Sequence, residues 1–158
     1  MAEHFEAAEL VKIAIEDEKS GVAYYSMLAG KAADEGLRGT FANLAQQEMY
    51  HQRRFEKLLA DLGGYTREEY PGEYMAYLRA LTDGRAFPDV YAAQQAAQQC
   101  SDDLSALDTA LRFERDTLVL MSELRDLLPQ RDQKIVEDLL NEERSHLVVL
   151  TAQREKLT

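Results

Sequence analysis

Six residues that could do chemistry stand where helices would normally place apolar side chains. In "LAQQEMYHQRRFEKLL" (44–59), Glu48 and His51 fall on the same line as Leu44, Phe55 and Leu58. The Glu-x-x-His spacing recurs at Glu143 and His146, on a line with Ile135, Leu139, Val149 and Leu150. Two further glutamates stand alone on such lines. Glu18 lies among Val11, Ala14, Ile15, Val22, Tyr25, Leu28 and Ala32, and Glu114 among Leu104, Leu107, Leu111, Leu118, Met121, Leu124 and Leu128. Residues three apart share a helix face, so each Glu-x-x-His pair can aim a carboxylate and an imidazole at one point.

The halves of the chain repeat this arrangement. Glu143 follows Glu48 by 95 positions, His146 follows His51 by 95, and Glu114 follows Glu18 by 96. Measured from the turns that join the helices, all six fall within roughly one helical turn of a common level, at about 1.5 Å per residue. Four buried carboxylates without a counter-charge would cost several kcal/mol each (~3 or more), and no Lys or Arg lies on the same lines. A cation must therefore sit between them. Two divalent ions balance four carboxylates, with a histidine to cap each ion. Oxygen-rich ligation with one imidazole per ion suits iron or manganese, although zinc could also bind.

Four helices must position these groups. Apolar residues at alternating steps of three and four predict helices over 3–33, 37–62, 101–128 and 131–157, the third with an earlier segment from Asp89. "ADEG" (33–36) and the turn at Pro129 are short connections, so each pair packs antiparallel. Gly63 and Gly64 stop the second helix. Between the pairs runs a crossover, 63–100, broken by Pro71, Gly72, Gly84 and Pro88. It has room for a short helix at "EYMAYLRAL" (73–81), and "AAQQAAQQC" (92–100) reads as helix or helix lead-in. The expected architecture is all-α: one domain over 1–158, made of helix pair 3–62, crossover 63–100 and helix pair 101–157.

Composition narrows the function classes. With 29 acidic and 18 basic residues the net charge is −11, which repels nucleic-acid phosphate and anionic lipid. Cys100 is the only cysteine, so neither an intrachain disulfide nor a Cys-based zinc or iron–sulfur site is expected. No run of about 18 apolar residues is present to span a membrane. The acidic start of the chain does not read as a signal peptide, so a cytoplasmic location is expected.

The sequence resembles the rubrerythrin branch of the ferritin-like superfamily. "AIEDEKSGVAYYSMLA" (14–29) is similar to that family's first helix, with its ligand glutamate at Glu18 and a tyrosine seven residues on at Tyr25. "FANLAQQEMYHQRRF" (41–55) and "IVEDLLNEERSHLVVL" (135–150) resemble its two Glu-x-x-His helices, and "ALRFERDTLVLMSEL" (110–124) its third. The crossover segment "YLRALTDGRAFPD" (77–89) is similar to that of stand-alone rubrerythrin-like proteins.

The resemblance implies a ferritin-like four-helix bundle with two iron ions on Glu18, Glu48, His51, Glu114, Glu143 and His146. It implies a non-haem di-iron oxidoreductase reducing peroxide or O2, with electrons from an external donor protein. A ferroxidase that handles iron at the same site is the alternative, and a non-catalytic metal-stabilised bundle the third reading. Tyr25 is either a neighbour of the site or a core aromatic. Tyr24, Tyr50 and His4 are expected to be structural or surface residues, and a homodimer is expected. Two features depart from the family: the four cysteines of a rubredoxin module are missing, and Thr117 stands where rubrerythrins carry an additional glutamate.

Overall fold

Leu28, Ala32, Leu37 and Phe41 meet in one apolar cluster, and Val11, Ile15, Phe55 and Leu62 meet in another. Only an antiparallel hairpin can pair the end of one helix with the start of the next and also their far ends. The computed structural model describes residues 7–63 and 72–158. Its helices are α1 (Ala7–Lys31), α2 (Glu35–Leu62), α3 (Gly72–Asp83), α4 (Val90–Gln99), α5 (Asp103–Leu127) and α6 (Gln130–Glu155). No strand occurs among the described residues. The expected helical residues before Ala7, together with His4, Gly64 and Pro71, lie outside them.

The second hairpin follows the same logic. Leu124 and Leu127 of α5 share a cluster with Val136 and Leu139 of α6, while Leu107 and Leu111 share the other cluster with Leu150. α1 packs against α2, α4 and α5, and α6 packs against α5 and α2. Of the crossover helices, α3 adds Met75 and Leu78 to the cluster at one end, and α4 adds Ala93 and Ala97 to that at the other. Each large apolar side chain buried in these clusters contributes about 1.5–3 kcal/mol. Together they clamp a polar layer at mid-bundle, where Glu18, Glu48, His51, Glu114, Glu143 and His146 are all buried.

Local signals set the helix ends. Asp34 caps α2 by accepting from Leu37 N at 2.7 Å, and Gly63 ends α2 at φ 58°, a left-handed value that glycine adopts without strain. The lead-in to the third long helix is a separate helix, α4, capped by Asp89. Cys100 leaves helical geometry at φ −58°, ψ 123°, and Asp102 with Ser105 forms a capping box that starts α5 afresh. Lys31 at the end of α1 donates to the carbonyls of Ala97, Gln98 and Cys100 at 2.9, 2.6 and 3.0 Å, which holds the C-terminus of α4.

Five expected core positions fall short of full burial, among them Leu104, Leu118 and Ile135, which are half-buried. Val149 is 42% exposed, because at that end of α6 the inward line narrows to Leu150. Val22 is only half-buried, while Gly21 and Tyr24 are buried. α4 covers α1 on a flank that a four-helix pattern leaves open, and so rotates and widens its buried face. No helix among the described residues is long and apolar enough to cross a membrane.

Candidate metal centre

Helical spacing and the antiparallel packing of the two hairpins bring two side chains of α2, two of α6, and one each of α1 and α5 to the same level of the bundle. Their ligand atoms form two groups: Glu18, Glu48, His51 and Glu143, and Glu48, Glu114, Glu143 and His146. Within each group the atoms lie within 4.8 Å of one another. Glu143 offers Oε1 to His51 Nδ1 at 2.6 Å and Oε2 to His146 Nδ1 at 2.9 Å. Glu48 does likewise, with Oε2 3.8 Å from His51 Nδ1 and Oε1 3.4 Å from His146 Nδ1. Glu18 Oε2 stands 3.7 Å from His51 Nδ1, and Glu114 Oε1 stands 3.5 Å from His146 Nδ1. Glu48 and Glu143 therefore face both positions, while Glu18 and Glu114 each face one. The two imidazoles lie 5.5 Å apart between ring centroids, with planes 14° apart.

These close approaches are not hydrogen bonds. Both oxygens of Glu18, Glu48 and Glu143, Oε2 of Glu114, and Nδ1 of His51 and His146 are buried without a hydrogen-bond partner. Native interiors rarely leave so many polar atoms unsatisfied at one place. The imidazoles are satisfied on their other nitrogens. Nε2–H of His51 donates to Glu142 Oε2 at 2.8 Å, and Nε2–H of His146 donates to Gln47 Oε1 at 2.6 Å. That tautomer leaves each Nδ1 lone pair pointing into the carboxylate cluster, the orientation that a metal ligand requires.

The electrostatics of the cluster favour positive charge among its carboxylates. Burial pushes Glu18, Glu48 and Glu114 well above the ordinary carboxylate range, and the Glu143 charge adds to it. Burial would also raise Glu143, but His146 and His51 on either side hold it well below that range. Burial would lower His51, yet Glu143 and Glu48 outweigh it and hold the imidazole up at about 9. His146 is held up in the same way by Glu114, Glu143 and Glu48 against the effect of its burial. Without metal, protons on the imidazoles and carboxylates must supply the missing positive charge. Two divalent ions would replace them and satisfy the orphaned oxygens and nitrogens together. The donor set present therefore fits a dimetal centre.

All six residues expected from the sequence converge here. Tyr25 is fully buried, and its hydroxyl donates to Glu114 Oε1. Burial, then the Glu114 charge, pushes that hydroxyl far above the usual phenol range. Tyr24 is structural, bonded to the Ala106 carbonyl at 2.8 Å, and Tyr50 is 46% exposed. Thr117, at the place of the additional rubrerythrin glutamate, is buried with no partner for its Oγ1. Sequence inspection missed Gln47 and Glu142. Their signal was present, since each precedes a Glu of a Glu-x-x-His pair and they too are 95 positions apart. It also missed Arg85, whose Nη1 donates to the buried Asp17 Oδ1 at 3.1 Å and ties the crossover to α1 beside Glu18.

A model of the rubrerythrin family matches residues 9–153. No curated protein sequence matches the chain. Among solved structures, a Thermotoga maritima crystal structure described as that of a ferritin-like diiron-carboxylate protein matches over 100% of both chains. The TM-score is 0.74 at 24% identity, a likeness of fold.

Proposed function

The chain belongs to the rubrerythrin family, and on that premise we propose that it is a non-haem di-iron oxidoreductase that reduces peroxide or O2 with electrons from an external donor protein. One observation supports this best: the two ligand groups share Glu48 and Glu143. Carboxylates common to both groups would hold both ions at one site. Iron bound there would supply the electrons that peroxide accepts in pairs.

The chain's own residues set the conditions for that chemistry. Glu18 and His51 would hold one ion, Glu114 and His146 the other, and Glu48 and Glu143 would serve both. Outward hydrogen bonds to Glu142 and Gln47 keep each imidazole turned with Nδ1 inward. Apolar clusters above and below the layer exclude bulk water. The Tyr25 hydroxyl fixes Glu114 and holds a proton at the edge of the centre. These 158 residues contain one cysteine, too few for a four-cysteine iron module, so a donor protein is assigned the supply of electrons.

Thr117 favours a second reading, a ferroxidase that handles iron at the same site. A threonine cannot give the extra carboxylate by which rubrerythrins follow a change in iron oxidation state, so this position gives peroxide reduction less support than a glutamate would. Anaerobic loading with Fe2+, followed by rapid mixing with H2O2 or O2, separates the two. Two irons per chain, a faster reaction with peroxide and retained, re-reducible iron are expected for the oxidoreductase. Preference for O2 with iron then leaving the site would establish iron handling instead. Tight zinc binding with no oxidation chemistry after exchange for iron would leave a metal-stabilised bundle.

A further inference from the structure

The 95-residue repeat that relates Glu48 to Glu143 and His51 to His146 also relates Gln47 to Glu142, and there its chemistry changes. Each of these two residues reaches across the bundle to the histidine of the opposite hairpin. Glu142 on α6 takes the Nε2–H of His51 on α2, and Gln47 on α2 takes the Nε2–H of His146 on α6. The geometry is nearly symmetric, at 2.8 and 2.6 Å, but one acceptor is a carboxylate and the other a neutral amide.

A carboxylate behind an imidazole raises the electron density at its other nitrogen and strengthens it as a ligand; an amide does so much less. A second asymmetry has the same sense. Glu114, which faces His146, gives part of its charge to the Tyr25 hydroxyl, whereas neither oxygen of Glu18, which faces His51, has a hydrogen-bond partner. Met121 occupies the place in α5 that matches Tyr25 in α1, seven residues past the glutamate, so the first position has no counterpart of that bond. Glu48 and Glu143 are common to both positions and cannot distinguish them.

We propose that the two metal positions are unequal, the one at His51 and Glu18 being the tighter, and that Glu142 and Gln47 are the positioning residues that set the difference. This rests on the dimetal reading of the site. The Glu142 side chain is 43% exposed, so solvent screens part of its charge and the lower end of the range for such partners applies, about tenfold in affinity.

The test is an anaerobic titration of the metal-free protein with Co2+, followed by its visible absorption. Two resolved steps are expected, with His51→Ala abolishing the tighter and His146→Ala the weaker. Glu142→Gln should loosen the tighter step about tenfold, and Gln47→Glu should tighten the weaker one by about the same factor. In the reciprocal double variant the ratio of the two constants should fall on the order of a hundredfold. Both exchanges are nearly isosteric, and a merely structural role predicts no opposite response from them. Two steps of equal affinity in the parent protein, or a ratio unchanged within about twofold in the double variant, would overturn the proposal while leaving the dimetal reading intact. Failure of the parent to bind Co2+ at all would overturn both.

Discussion

A Cβ atom built on Gly21 would lie 3.1 Å from Cγ of Glu48, and as close to Cε1 of Phe113. Gly21 is buried in mid-helix, where glycine costs about 1 kcal/mol relative to alanine, so its value is the close approach it permits. Gly21→Ala gains helix propensity but pushes Glu48 out of its place by a few tenths of an ångström. The expected result is a metal-free stability within about 1 kcal/mol of the parent, because the two effects oppose. Metal affinity should nevertheless fall by about tenfold or more, because ligand placement is stricter than packing. Calorimetric melting beside metal titration checks both. An unchanged affinity would show that Glu48 has slack.

Glu48 faces both metal positions, whereas His51 faces one. Glu48→Ala combined with His51→Ala removes two of the four donors at the position shared with Glu18, and one at the other. At most one ion per chain should remain, measured by elemental analysis after gel filtration. Two ions still bound would remove these residues from the ligand set.

Tyr25→Phe deletes the hydroxyl that donates to Glu114 and leaves a buried carboxylate oxygen without a partner. Leaving a buried acceptor unsatisfied costs about 1–3 kcal/mol, so the metal-free variant should lose roughly that much stability in denaturant. A bound ion gives Glu114 another partner, and the loss should shrink on loading with two metals per chain. An equal loss in both states would mean that the metal does not take over from the Tyr25 hydroxyl at Glu114, since the ring contacts with Phe41 and Phe113 survive in the variant.

Arg85→Ala strands Asp17, which is 4% exposed. Burial already raises Asp17 to about 7, and Arg85 is the group that works against that rise. A carboxyl raised in the folded state binds its proton more tightly there than in the unfolded chain. Its effect is therefore to lower stability as pH climbs from about 4 toward 7, with the full penalty present above. Without Arg85 the folded value rises further and the window extends upward. The variant should be close to the parent at pH 5 and less stable by about 2 kcal/mol at pH 8. Asp17→Asn in the same chain should abolish that pH dependence. A pH-independent loss would assign the effect to the crossover's anchoring, including the Arg85 bond to the Pro88 carbonyl.

The six candidate ligands were legible because ligation and helix packing use the same periodicity. Glu48 and His51 interrupt an apolar line, and their repetition at Glu143 and His146 makes each interruption informative. Helix boundaries were legible where caps or glycine marked them, as at Gly63. The break between α4 and α5 was less so, because no glycine or proline makes it. It depends on Lys31, brought from the end of α1 to cap the α4 carbonyls.

The sequence by itself determined an all-helical chain, its four long amphipathic elements, and a family-specific set of carboxylates and imidazoles on their inner faces. Each of these follows from spacing along a single helix. Only the tertiary structure decided which oxygen faces which nitrogen, that Glu48 and Glu143 are the shared pair, and that Glu142 and Gln47 stand behind the histidines. It also decided that Gly21 leaves room for Glu48 and that Arg85 guards Asp17. Those relationships join residues tens of positions apart, and their distances depend on how the helices are rotated and levelled against one another. A periodic pattern names the face a side chain occupies; packing alone sets what it meets there.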